Sequence, residues 1–126
     1  MQLEGPFQTR SILSPALLPI LPELSHHFRT SFGSGPRLDY GTGHELSFLC
    51  FLLILRLVGV FTEQDEQAIV TRVFVAYLAL VRRLQKVFKL EPAGSKGVWG
   101  LDDHQHLVYL WGASQLRSTY WSSELW

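Results

Sequence analysis

Apolar residues recur with a helical period through the second half of the chain. Between Val70 and Phe88 they are spaced three, four and seven residues apart, which is typical of an amphipathic helix. Thr62 and Asp65 have the spacing of a capping box, so this helix is predicted to begin at Thr62. The residues predicted to form its buried side are Val70, Val73, Phe74, Tyr77, Val81, Leu84 and Phe88.

A more uniformly apolar segment, from Leu46 to Phe61, precedes this helix. It contains Arg56 and is shorter than the roughly 20 apolar residues that a membrane span needs, so a buried helix is favoured. The helix is expected to begin near Thr42 and to end before Gly59. Because it is apolar nearly all round, both of its sides are predicted to be covered.

A shorter pattern predicts a helix near the beginning of the chain. Pro22 suits a first helical position, and Leu24, Phe28 and Phe32 follow at a spacing of four. Gly33 is expected to end this helix.

The last predicted helix covers residues 101–116. Asp102 or Asp103 would cap its first turn, and Gly112 would interrupt it. Residues 1–21 contain several prolines and are predicted to be irregular, with one helical turn near Ile12. Since no run alternates in the manner of a strand, the predicted fold class is all-α.

Composition limits the partners of this chain. It has 126 residues, 47% of them apolar, and eleven basic residues balance eleven acidic ones. A zero net charge provides no overall field for nucleic acid or an anionic membrane, and neither is predicted as a partner. Cys50, the single cysteine, lies in the apolar segment and is expected to be a small buried hydrophobe. The prolines near the N-terminus predict no signal peptide.

The segment "RLDYGTGHE", residues 37–45, combines groups that can hold a phosphate. Arg37 is a cation, Thr42 carries a hydroxyl, and the start of a helix offers free backbone N–H groups. An ordinary alternative stays open, in which Thr42 caps the helix and Arg37 pairs with a nearby carboxylate.

The segment "GVWGLDD", residues 97–103, supplies oxygen ligands suited to magnesium. Asp102 and Asp103 are adjacent, and Mg²⁺ is usually bound by one or two carboxylates together with phosphate oxygens. A negatively charged helix start would explain the same residues. His104 and His106 point to different sides of a helix, so they are not predicted to bind zinc.

Three longer segments resemble a known family. "RLDYGTGHELSF", "RRLQKVFKLEPAGSKGVWGLDD" and "WGASQL" are similar to signature segments of the protein phosphatase 2A activators, also called phosphotyrosyl phosphatase activators. The resemblance covers Pro22 to Leu116 without a gap. It implies an irregular lead over residues 1–21, a partial helical activator domain over residues 22–116 and a divergent tail over residues 117–126.

The resemblance also implies a function and a set of site residues. Family members bind ATP and magnesium in a pocket that faces the phosphatase 2A catalytic subunit, assist its activation and have peptidyl-prolyl cis-trans isomerase activity. The expected partners are therefore that subunit and a proline-containing peptide, in the cytoplasm or nucleus. By similarity, the ATP contacts are Arg37, Thr42 and Gly43, the magnesium ligands are Gly97 and Asp103, and the candidate catalytic residues are Trp99 and Asp102.

The chain departs from the family in two respects. Members usually have an aromatic pair and a proline at His104, His106 and Val108, and this chain is well under half the length of a typical member. Missing helices are expected to leave apolar surfaces exposed. The alternative function is therefore an inactive helical interaction or scaffold fragment that lacks a complete site.

Overall fold

The computed structural model describes residues 15–94 and 104–120. Within them the chain is helical apart from one very small sheet, so the all-α class is confirmed. The predicted turn near Ile12 lies outside these residues, and a short 3-10 helix occupies Pro15–Ile20.

Helix α1, Leu21–Thr30, confirms the first predicted helix. Pro22 lies in its first turn, where the missing N–H costs no hydrogen bond. The chain then turns through Gly33, whose φ of +100° favours glycine. Leu24 is buried, whereas Phe28 is partly exposed and packs against Phe51 of α2, with ring centroids 4.9 Å apart.

Helix α2, Thr42–Leu57, has the predicted extent, and Gly59 follows it with a φ of +78°. Its inner side is buried, including Phe48 and Leu52. The prediction that both sides would be covered is wrong. No described element packs on the outer side, where Leu46, Leu53 and Leu57 remain exposed.

The long helix predicted from Thr62 is built from several kinds of turn. A 3-10 turn, Glu63–Asp65, leads into α3, Glu66–Ala68, then a π-helical turn, Ile69–Val73, and finally α4, Phe74–Phe88. The capping box is confirmed, because the Asp65 carboxylate accepts hydrogen bonds of 2.8 Å from both the backbone N–H and the hydroxyl of Thr62. These hydrogen bonds hold the pKa of Asp65 below its usual value.

The buried side of α4 is partly as predicted. Phe74, Tyr77 and Val81 are buried, but Val73 and Phe88 are exposed. The π turn changes the register at Val73, and Phe88 is the last residue of the helix.

Helix α5, Leu107–Tyr120, begins later than predicted, because residues 104–106 are not helical. The predicted interruption at Gly112 is wrong, since the helix continues through it. A glycine inside a helix costs about 1 kcal/mol relative to alanine, and this does not break a helix by itself.

The core lies between α2 and α4. The rings of Phe48 and Tyr77 stack with their centroids 3.8 Å apart, and Trp111 of α5 meets Phe74 edge-on at 4.3 Å. Tyr40, just before α2, is completely buried in the same cluster. Across residues 15–94 and 104–120, no helix has the length and apolarity that a membrane crossing requires.

Candidate functional site

A two-residue parallel ladder joins the two glycine-containing loops. Strand β1, Asp39–Tyr40, pairs with β2, Glu91–Pro92. On either side of this pairing, the Glu91 N–H donates to the Leu38 carbonyl at 3.0 Å, and the Ala93 N–H donates to the Tyr40 carbonyl at 2.9 Å. The ladder therefore brings the beginning of the second loop against the first.

Gly41 permits this close approach. A Cβ atom at this position would lie only 2.6 Å from the carbonyl oxygen of Ala93. Any larger residue would therefore separate the two loops or displace the start of α2.

A cleft of about 480 Å³ opens where the loops meet the start of α2, and we call it the α2 cleft. Its volume lies within the usual range for small-ligand sites, about 300 to 1,000 Å³. A larger cleft of about 660 Å³ adjoins it on the α1 side. The α2 cleft is lined by Thr30, Arg37, Asp39, Gly43, His44, Ala93 and Gly94.

Arg37 is held at the edge of the α2 cleft by Asp39. Its Nε lies 2.8 Å from Oδ2 and its Nη2 lies 3.3 Å from Oδ1, so the contact is bidentate. The predicted alternative of a nearby carboxylate partner is therefore confirmed. Among the described residues, this pair accounts for two of the five guanidinium N–H donors. The intervening Leu38 has a φ of +51°, a strained conformation for leucine.

Thr42 and Gly43 are the first two residues of α2, and Gly41 occupies the N-cap position. The alternative in which Thr42 caps the helix is wrong, because no side-chain cap is formed there by the described residues. Gly43 is exposed, and outside its chain neighbours and its own helix backbone no atom lies within 4 Å of where a Cβ would be. Gly43 lines the α2 cleft, so the start of α2, where the first N–H groups of a helix lack intrahelical partners, lies at its wall.

His44 connects α1 to α2 at the floor of the α2 cleft. Its Nδ1 lies 2.6 Å from the carbonyl oxygen of Thr30, and a carbonyl only accepts, so Nδ1 carries the proton. Its Nε2 faces Oδ1 of Asp39 at 3.6 Å. The cleft thus contains the side chains of two basic residues around one carboxylate.

Glu45 is the site residue that sequence reasoning missed. Its side chain is 2% exposed, and Oε2 accepts hydrogen bonds from the backbone N–H groups of His106 at 2.7 Å and Leu107 at 3.1 Å. A carboxylate of α2 therefore caps the start of α5. No local pattern predicts this contact, because the partners are more than 60 residues apart.

The remaining predicted site residues, Gly97, Trp99, Asp102 and Asp103, lie outside the described residues. In residues 15–94 and 104–120, no group of three His, Cys, Asp or Glu side chains is arranged to hold a metal. His104 instead lies over Tyr40, with ring centroids 6.5 Å apart.

Comparison with known proteins decides the family. The family model described as "Phosphotyrosyl phosphate activator (PTPA) protein" matches residues 4–124. The chain belongs to the PTPA family. The predicted resemblance is confirmed.

Relatives in this family are named serine/threonine-protein phosphatase 2A activators. Activator 2 of Candida albicans is 51% identical over 98 residues, which cover 78% of this chain and 27% of that protein. Activator 2 of Schizosaccharomyces pombe is 55% identical over 94 residues, which cover 75% of this chain and 27% of that protein. The Drosophila melanogaster activator is 44% identical over 115 residues, which cover 85% of this chain and 29% of that protein. This PTPA chain thus spans less than a third of the length of these relatives.

Proposed function

We propose that this chain is a phosphatase 2A activator-like protein whose α2 cleft is the phosphate side of a Mg-ATP site. In this role it would assist activation of the phosphatase 2A catalytic subunit, in the cytoplasm or nucleus. The relatives' names support the activator role. The observation that carries the nucleotide proposal is the juxtaposition of both loops with the open start of α2.

Two features of the α2 cleft favour an anion, against the single carboxylate, that of Asp39, among the described residues that line it. A helix N-terminus carries a partial positive charge and free N–H donors, and phosphate groups bind there readily. Arg37 adds a guanidinium whose plane is set by its bidentate contact with Asp39. Three of its donors remain for phosphate oxygens, as counted within the described residues.

Magnesium would be held by the second loop. By family resemblance, its ligands are the carbonyl oxygen of Gly97 and the carboxylate of Asp103, and such hard oxygen donors suit this ion. Bound magnesium would offset the charge of the triphosphate. The described part of the α2 cleft extends to Gly94, three residues before Gly97, which fits this assignment.

Isomerase activity on a proline-containing peptide is part of the proposal. The barrier to X-Pro rotation is about 20 kcal/mol, and lowering it requires a wall that binds the twisted amide more tightly than the planar one. Trp99 and Asp102 are the residues proposed for that wall. In a protease-coupled assay with a proline peptide, a rate equal to the uncatalysed background would count against this activity.

Calorimetric titration with Mg-ATP tests the nucleotide site. Arg37→Ala removes at least one charge-assisted hydrogen bond of about 1.5 to 3 kcal/mol, so the affinity should fall by at least roughly tenfold. Arg29→Ala is the matched control, because Arg29 lines only the adjoining cleft. Equal losses in both variants, or no heat from the folded wild-type chain at millimolar nucleotide, would refute the proposal.

A second candidate function is an inactive helical interaction fragment. The exposed outer side of α2 favours it, because Leu46, Leu53 and Leu57 form an apolar surface that a partner could cover. A folded chain that gives no heat with Mg-ATP would support this alternative.

A further inference from the structure

The larger cleft on the α1 side is basic, and we call it the α1 cleft. It is lined by one side of α1, from Pro22 to Thr30, by the loop of residues 33–37 and by His44. Two arginines and two histidines are among these residues, and no described aspartate or glutamate lines the cleft. The chain as a whole has no net charge, so this local excess of basic groups favours an anionic ligand.

The α1 cleft is elongated, with a volume of about 660 Å³. Its α1 wall consists of Pro22, Ser25, His26, Arg29 and Thr30, which are spaced as one side of a helix. A helix rises 1.5 Å per residue, so this wall is about 12 Å long. An extended peptide advances about 3.3 Å per residue, and a segment of three or four residues therefore fits along it. A single phosphate ion would occupy only one end.

The opposite wall of the α1 cleft is a closed loop. Two backbone hydrogen bonds, of 2.9 and 3.4 Å, join Ser34 to Asp39, and the Ser34 hydroxyl accepts from the Arg37 N–H at 3.3 Å. The Arg37 guanidinium is oriented by its bidentate contact with Asp39. Because these contacts exist before a ligand arrives, little ordering of this wall would oppose binding.

Arg29 supplies the uncompensated charge of the α1 cleft. Within the described residues its guanidinium makes no hydrogen bond or ion pair. Glu23, the one acidic residue of α1, pairs instead with His27 at 3.2 Å. The C-terminal end of α1 has a partial negative charge, but the carbonyl of Thr30 already accepts a hydrogen bond from His44. A free guanidinium suits a carboxylate, which it can bind with two parallel hydrogen bonds.

We propose that the α1 cleft binds an extended acidic segment of a partner protein, with one carboxylate of that segment against Arg29. Arg37 lines both clefts and contributes less here, because Asp39 offsets its charge. The inference goes beyond the proposed nucleotide site and does not depend on it, since Arg29 lines only the α1 cleft.

Fluorescence anisotropy of labelled peptides tests this inference on the whole chain without nucleotide. The probes are a tetraglutamate peptide and a tetraglutamine peptide of the same length. The glutamine peptide should bind at least about tenfold more weakly, because it lacks the carboxylates that the arginines recognise. Added sodium chloride should weaken the binding of the glutamate peptide, since it screens exposed charges.

Substitutions at Arg29 locate the binding. Arg29→Ala should weaken the tetraglutamate complex by at least about threefold, as expected for one exposed charge contact, and Arg29→Glu should abolish it by repulsion. Arg83→Ala is the matched control, because Arg83 is exposed on α4 and lies outside this cleft. It should leave the affinity unchanged. Both arginines are exposed, so each variant should keep the wild-type melting temperature.

Several results would overturn the inference. Equal affinity for the two peptides would show that the cleft does not select charge, and equal losses in Arg29→Ala and Arg83→Ala would indicate attraction to the whole surface. Displacement of the peptide by an equal concentration of inorganic phosphate would show a site for a single anion. No binding of tetraglutamate at millimolar concentration would also refute it. Failure of the nucleotide proposal is seen separately, in the Mg-ATP titration, where Arg29→Ala should behave as the wild type.

Discussion

Tyr40 begins a chain of buried hydrogen bonds behind the α2 cleft. The hydroxyl of Tyr77 donates to the Ser31 carbonyl at 2.8 Å, so in its 2.6 Å contact with Tyr40 it must be the acceptor. Burial, reinforced by the charge of Glu45, raises the pKa of Tyr40 to about 12. Burial also raises the pKa of Tyr77. Both hydroxyls therefore stay protonated in the folded chain well into the alkaline range.

This arrangement predicts a specific loss of stability in alkali. Below pH 10, Tyr40 is protonated in both the folded and the unfolded chain. Above pH 10 the unfolded chain releases this proton, whereas the folded chain keeps it until about pH 12. The free energy of unfolding should therefore fall as pH rises through this window, by up to about 1.4 kcal/mol per pH unit for each such tyrosine.

The variant Tyr40→Phe should show a shallower fall between pH 10 and 12, measured by urea unfolding at each pH. At pH 7 it should cost only about 0.5 to 1.5 kcal/mol, because Tyr77 keeps its bond to Ser31. An unchanged slope would contradict the assignment to Tyr40.

At the scale of single residues, the sequence identified site residues whose partners lie close to them along the chain. Arg37 and Gly43 could be singled out because a cation, glycines and a helix start lie within a few positions of each other. Glu45 could not, because its partners at 106 and 107 become neighbours only when α2 and α5 pack. The alternative in which Thr42 caps α2 is not realised, because Gly41 occupies the N-cap position.

The π turn at Ile69–Val73 contains one residue more than a regular helix would need. Such a turn leaves a carbonyl without its usual helical partner, and the Thr71 hydroxyl donates to the Gln67 carbonyl at 2.7 Å. The turn therefore accommodates one extra residue, and the buried sides of α3 and α4 keep their orientation.

Deleting Thr71 should convert this turn to regular helix. The melting temperature should change by no more than a few degrees, because the buried sides of α3 and α4 keep their orientation. Deleting Ala76 is the control. It would rotate Tyr77 and Val81 about 100° away from Phe74 and should abolish cooperative unfolding. Circular dichroism and thermal melting measure both, and similar damage from the two deletions would contradict this account.

At the element scale, the long helix shows where pattern reasoning succeeds and fails. The capping box at Thr62 was predictable because both partners lie within four residues. The exposure of Val73 was not, because an extra residue changes the register without a sequence signal. α5 continues through Gly112 because a cost of about 1 kcal/mol relative to alanine does not end a helix by itself.

Across the whole molecule, apolar surface exceeds what the described elements cover. The outer side of α2 leaves Leu53 and Leu57 52% and 75% exposed. Burial of these two side chains requires another part of the chain or a partner to pack against them. The apolar pattern of the helix shows that they could be buried, but it does not show whether such a surface is present.

The double variant Leu53→Glu, Leu57→Lys should reduce concentration-dependent association without lowering the melting temperature. The new side chains are solvated and form a favourable i, i+4 pair of about 0.2 to 0.5 kcal/mol. Light scattering after gel filtration measures the association. Leu52→Glu, at a buried position on the same helix, is the control and should prevent folding. Association that persists in the double variant would show that another surface is responsible.

The β1–β2 ladder has a consequence for the order in which the molecule assembles. Its strands are about 50 residues apart in sequence, and closing a loop of that length costs roughly 3.5 kcal/mol of chain entropy. The two flanking hydrogen bonds together contribute only about 1 to 3 kcal/mol. The ladder therefore has no stability of its own and forms after α2 and α4 have packed. The α2 cleft consequently exists only in the completed fold, and any ligand that binds it stabilises the whole molecule rather than one loop.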